Sequence, residues 1–194
     1  VFQVVEGEQN VLLQLMATDS NREETALEAL QNVVQNLDES DRQLAQHSLF
    51  VGLAHSEFQL ELQAGDFLIR NLIGVDPRVG ALAIGDRVRP GQRLQFHLRD
   101  AKASAEDLRI LLDRFCADSQ NSDQKAALGA LLFSCLGRGQ GLYQQPDFDA
   151  SLFQHYLGQI PLGGFFCNGE IGPIGGNTYL HGYTSAFGVF CPPD

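Results

Sequence analysis

Two glycine-rich segments late in the chain carry the residues best suited to hold a small molecule. Phe133-Ser134-Cys135-Leu136-Gly137-Arg138-Gly139-Gln140-Gly141 and Phe165-Phe166-Cys167-Asn168-Gly169-Glu170-Ile171-Gly172-Pro173-Ile174-Gly175-Gly176 each follow an apolar run that reads as a buried strand. Glycine lacks a Cβ, so the main chain can turn sharply and bring its N–H groups, that of Gly169 among them, against a ligand. Ligands bind outside the carboxyl ends of strands in open sheets. If both strands run the same way, the two loops share one rim and set Arg138, Asn168 and Glu170 around a common cleft. There Arg138 offers a bidentate contact to an anionic ligand group while Glu170 and Asn168 face a cationic one. Glu170 lies among glycines in an otherwise apolar segment. An isolated charge is costly there unless paired, so it either anchors its own loop or awaits a cationic ligand group.

Tight turns are the competing reading of these glycines. Neither loop has the Gly-Lys-Ser/Thr ending of a phosphate loop or the spacing of a dinucleotide fingerprint. Cys135 and Cys167 admit three roles: small buried hydrophobes, metal or haem ligands together with His181, or a nucleophile. A catalytic thiol needs an activating histidine, and no local sequence supplies one. His97, beside Arg99-Asp100, reads as a structural histidine, Arg99-Asp100 as an ion pair or loop anchor, and Arg87, Arg89 and Arg93 as a solvated turn. His47, His55 and His155 carry no signal.

The elements that must position these groups follow from the apolar pattern. The 194 residues, 44% hydrophobic and 19% charged, are enough to fill a core. The net charge of -11, with lysine only at Lys102 and Lys125, disfavours a nucleic-acid partner or an anionic bilayer. No run of about 18 apolar residues predicts a membrane span. A hairpin is predicted from Val1–Val5 and Val11–Met16, and a helix over about 22–37 with Ser20 or Asn21 as its cap. Strands are predicted at Ser48–Ala54, Phe67–Val75, Val79–Ile84 and Arg93–Leu98, joined too closely for crossovers and therefore antiparallel. Ser104-Ala105-Glu106-Asp107 resembles a capping box opening a helix that runs to about Cys116, followed by a polar linker, Ala117–Lys125. Ala126–Leu136 reads as a central strand, 148–157 as a helix closed by Gly158, and Ile160–Cys167 and Thr184–Phe190 as the last strands. The expected fold is α+β: a mixed, largely antiparallel sheet with helices packed on it, in one domain over 1–194. Strand-helix-strand units after residue 100 should add parallel pairs to that sheet.

Four segments in order, Phe67–Asp76, Gly91–Asp100, Phe133–Gly139 and Gly164–Pro173, followed by Leu180-His181-Gly182, resemble the C-terminal half of the FIST family over about residues 22–190. The resemblance implies a sensory domain of signal-transduction proteins that binds small ligands such as amino acids, with some members described as haem-containing nitric-oxide sensors. It implies no catalytic residue. The N-terminal FIST half is expected to be missing from a chain that starts at Val1, and that half or a downstream signalling protein is the expected partner.

The leading expectation is a non-catalytic ligand-sensing domain with Arg138, Asn168, Gly169, Glu170, His181 and Cys135 around its ligand. An interaction module is the alternative, and a thiol enzyme using Cys135 or Cys167 is a third reading. No cofactor is required, with haem on His181 as the runner-up. Cysteines at 116, 135, 167 and 191 match neither a zinc motif nor a disulfide scaffold, which makes a reducing cytoplasm the default compartment.

Overall fold

The opening hairpin joins β1 (Phe2–Glu8) to β2 (Val11–Ala17) through Gln9-Asn10, with Gln9 at φ +54°. The structure, a computed structural model, describes residues 1–56, 59, 61–63, 65–121, 126–174 and 176–192. The chain, read from sequence as one domain, divides into two compact units, Val1–Arg99 and Asp100–Asp194.

In the first unit β1 and β2 are followed by β3 (Glu23–Thr25), α1 (Ala26–Gln35), α2 (Glu39–Ala45), β4 (Leu49–Ala54), β5 (Phe67–Asp76), β6 (Ala81–Ile84) and β7 (Arg93–Leu98). The sheet runs β1-β7-β4-β5-β6-β2, and β2 pairs back to β1, so six antiparallel strands close on themselves with β3 added outside β2. Closure leaves those six strands without a free edge. Val4, Leu12, Leu15, Val51, Leu53, Leu82, Ile84 and Leu94 fill the core, joined by Ala26, Ala29 and Leu30 of α1.

The predicted start of α1 is corrected. Residues 23–25 pair with β2, so the chain stays extended up to Thr25, whose Oγ1 accepts from Glu28 N–H at 3.3 Å while Glu28 Oε2 accepts from Thr25 N–H at 3.0 Å. Gly80 lies against this cap at φ +68°, where a Cβ would stand 2.6 Å from Thr25 Oγ1. Thr25→Ala should lower the unfolding free energy by about 1 kcal/mol, read as a lower denaturation midpoint. The α2 helix was not expected: Glu39-Ser40-Asp41-Arg42-Gln43-Leu44-Ala45 has no apolar period, and the Asp38 Oδ1 cap on Asp41 N–H at 2.8 Å helps hold its start.

The second unit contains α3 (Ala101–Asn121), β8 (Gly129–Cys135), α4 (Gln140–Tyr143), α5 (Phe148–Leu157), β9 (Leu162–Cys167), β10 (Glu170–Ile174), β11 (Asn177–His181) and β12 (Ser185–Phe190). Asp100 caps α3, its Oδ1 accepting from Ala103 N–H at 2.7 Å, so Ser104–Asp107 lies inside the helix rather than opening it. The helix continues past Cys116 to Asn121, and residues 122–125 of the predicted linker lie outside the described residues. A parallel pair does form, β8 with β9 through α4 and α5, but in a separate three-stranded sheet, β12-β8-β9, rather than as an addition to the first. Strand alternation turns Ala130, Leu162, Phe187 and Val189 toward Leu108, Leu112 and Phe153 of α3 and α5. The opposite face presents Leu131, Phe165 and Phe190, all exposed. The whole is α+β and largely antiparallel. Among the described residues no helix is long and apolar enough to cross a membrane.

Candidate functional site

Because β8 and β9 are parallel, the two glycine-rich segments leave the same end of the sheet, and Cys135 stands in register with Cys167. The start of β12 closes the group: Cys135 N–H donates to Thr184 O at 3.0 Å, and Leu136 N–H donates to Cys167 O at 2.9 Å. The second segment is not one loop. Glu170–Ile174 and Asn177–His181 pair as the β10–β11 hairpin, with Glu170 opposite His181. Gly175 lies outside the described residues.

Glu170 begins β10 and is only 1% exposed. Its Oε2 accepts from Thr184 Oγ1–H at 2.9 Å and Thr184 N–H at 3.3 Å, and its Oε1 lies 3.4 Å from the Cys167 thiol that donates to it. Among the described residues no cation pairs with it. Burial, then the hydrogen bond to Glu170, pushes the Cys167 thiol up, so Cys167 keeps its proton at neutral pH. Tyr183, preceding Thr184, sits at φ +65°, an uncommon backbone for a bulky residue. That turn delivers both Thr184 donors to the carboxylate.

Arg138 is placed at the same end by its N–H, which donates to Cys135 O at 2.8 Å, but its side chain turns to the helix-covered face. Nε donates to Asp149 Oδ2 at 2.9 Å, Nη2 to Asp149 Oδ1 at 2.8 Å and to the Tyr143 hydroxyl, and Nη1 to Tyr183 O at 3.4 Å. Ser134 and Ser185 each donate to Asp149 Oδ2 at 2.8 Å. Burial pushes Asp149 up, but the hydrogen bonds and charge of Arg138 with both serine hydroxyls outweigh it and hold the carboxyl below its ordinary value. The bidentate fork a ligand carboxylate would use is thus occupied by Asp149. Sequence reading missed Asp149, which in the first turn of α5 reads as an acid placed for the helix dipole.

The other predicted residues fall around Glu170. Asn168 is exposed in the turn between β9 and β10. Gly169 packs so that a Cβ would stand 3.2 Å from Leu180 Cδ1. Cys135 is buried beside Cys167. His181 Nε2–H donates to Gly172 O at 3.0 Å and ties the hairpin together. An imidazole committed through Nε2 in this way does not fit an axial haem ligand on that nitrogen. Among the described residues no three His, Cys, Asp or Glu groups converge as a metal site. In the first unit His97 packs on Phe67 at 5.0 Å and over Gly52, and burial pushes its imidazole down, in keeping with a structural role. Arg99 stacks over Phe50 at 5.7 Å, and Arg93 Nη2 donates to Ser56 O at 3.1 Å.

The first unit is thus a closed antiparallel sheet, and the second a helix-covered mixed sheet with a buried acid at its rim. The FIST C domain profile matches residues 26–173, spanning both units, and the chain belongs to that family, whose members are sensory domains of signal transduction. It is 41% identical over 164 residues to an uncharacterized protein of Mycobacterium bovis, and 40% identical over 164 residues to an uncharacterized protein of Mycobacterium tuberculosis. Each match covers 84% of this chain and 42% of the relative, so the chain spans less than half the length of those proteins. An F-box/LRR-repeat protein of Arabidopsis thaliana is 25% identical over 118 residues, 55% of this chain and 22% of that protein. No solved structure matches the chain.

Proposed function

We propose that this sensory domain binds a small ligand through an ammonium group, with Glu170 as the anchor. The observation that carries the reading is a carboxylate 1% exposed whose three donors are all neutral. A buried charge of this kind is stabilised most by a cation. Of its donors the thiol is the weakest and the one an ammonium would replace. Asn168 and the Gly169 main chain border the approach, while Arg138 holds the rim through Asp149 and Tyr183 O and takes no part in ligand contact. An amino acid remains a suitable ligand class if its carboxylate meets main-chain N–H groups rather than Arg138.

A thermal-shift panel of amino acids, simple amines and their N-acetyl forms tests this. A ligand at 100 times its dissociation constant adds about 2.7 kcal/mol. Amine-bearing compounds should raise the melting temperature and their N-acetyl forms should not. A panel in which no amine shifts the transition would remove the reading.

A second reading is supported by the apolar face of the second sheet. Phe165 is 64% exposed, Leu131 and Phe190 lie exposed on the same face of the sheet, and Ile171 and Leu180 stand exposed as a cross-strand pair on the hairpin. Contiguous exposed apolar surface marks an interaction site. The rest of the longer relatives is the proposed occupant. Light scattering should show self-association of the chain that a Phe165→Ser substitution relieves, and a monomer at all concentrations would count against this surface.

A further inference from the structure

We propose that Cys135 and Cys167 are a redox pair that closes to a disulfide by exchange with a low-molecular-weight disulfide of the glutathione class. The two residues are register partners on adjacent parallel strands, so their side chains leave the same face of the sheet. Neighbouring strands lie about 4.8 Å apart, inside the roughly 4.4 to 6.8 Å range of Cα separations that a disulfide spans. None of the four cysteines is in a disulfide, but Cys116 is on α3 and Cys191 follows β12, and neither is in register with the pair.

Two features make closure mechanically accessible. β9 is an edge strand of its sheet, bonded to β8 on one side, so its end can shift without breaking a second ladder. Gly164 lets β9 approach β8 so closely that a Cβ there would overlap Leu132 O. Cys167 is partly exposed, and exposed disulfides are among the readily reduced, regulatory ones.

Cys167 is the more accessible partner. Exchange runs through its thiolate, formed by loss of the proton to solvent and favoured by alkaline pH. That sulfur attacks one sulfur of glutathione disulfide, forming a mixed disulfide and releasing one glutathione thiolate, which takes a proton from solvent. Cys135 attacks the Cys167 sulfur and expels the second glutathione, which leaves with the Cys135 proton. Two protein thiols are oxidised by two electrons, and one glutathione disulfide is reduced to two glutathione thiols.

Closure takes the thiol away from Glu170 and leaves the carboxylate with Thr184 alone. Oxidation would therefore free Oε1 for a ligand cation. That consequence rests on the reading of Glu170 as an anchor, whereas the bridge itself does not.

The test is to equilibrate the native chain against glutathione mixtures from fully reduced to fully oxidised, quench with acid, alkylate the remaining thiols and map the peptides by mass spectrometry. The expected product is a Cys135–Cys167 cross-linked peptide that disappears on return to reduced glutathione, with Cys116 and Cys191 alkylated throughout. Cys135→Ser should stop at a glutathione adduct on Cys167. A Cys116→Ser/Cys191→Ser variant, which leaves the pair untouched, should give the same bridge as wild type. Four free thiols at every mixture, a persistent glutathione adduct on wild-type Cys167, or a bridge to Cys116 or Cys191 would overturn the proposal. Because no ligand is present, this readout is independent of whether an ammonium binds Glu170.

Discussion

Arg138→Met should destabilise the second unit by about 3 to 5 kcal/mol, since it leaves Asp149 as an uncompensated buried charge. Arg138 is 7% exposed and Asp149 5%. Salt screens such a pair little, so the loss should persist at high ionic strength. The pH dependence carries its own sign. In the wild type the Asp149 carboxyl is held below its ordinary value, so its contribution is complete above the unfolded carboxylate range near pH 4 and is lost as pH falls through the folded value. Without Arg138 burial dominates and raises that carboxyl, so the variant regains stability on acidification and the gap to wild type narrows. Adding Asp149→Asn to Arg138→Met removes the stranded charge and should recover most of the loss. Chemical denaturation at pH 7 and pH 4.5 measures both effects, and equal gaps at the two pH values would contradict the assigned ion pair.

The second large effect is in the core beneath. Phe153 is 1% exposed and stacks on Phe187 with ring centroids 4.9 Å apart and planes 5° from parallel. Phe153→Ala removes this stack and leaves a cavity between α5 and the sheet, with an expected cost of about 3 to 5 kcal/mol. Phe153→Leu fills most of the volume and should cost appreciably less. Denaturant midpoints of the two variants give the comparison.

Local pattern made much of this architecture legible. The helix predicted at 148–157 is α5 (Phe148–Leu157), and the alternating or continuous apolar runs fixed four strands of the closed sheet to within one or two residues. Misses occur where long-range pairing overrides local preference. Gly172 and Pro173 read as loop punctuation, yet Pro173 sits opposite Thr178 in a two-stranded ribbon. Thr25 was hidden as a cap because nothing local shows that Glu23–Thr25 is held by β2. The common rim of the two glycine-rich segments was legible because it needs only parallel strands. The division of its residues between two sheet faces was not: Ser134 points toward Asp149 and Cys135 away, a difference set by register. The partner of Arg138 eleven residues along the chain is a tertiary contact that no spacing rule announces.

Glu170 is the centre of the proposed ligand site, and titration calorimetry of the strongest amine from the ligand panel tests that role most directly. The wild-type chain, Glu170→Gln and the N-acetylated form of the same compound make the set. Glu170→Gln keeps an acceptor for Thr184 and removes the charge, so its fold is checked by an unchanged cooperative melt. The expected result is binding to wild type, at least tenfold weaker binding to Glu170→Gln, which is about 1.4 kcal/mol, and no binding of the N-acetylated compound. Equal affinity for wild type and Glu170→Gln, or equal affinity for the amine and its N-acetyl form, would contradict it.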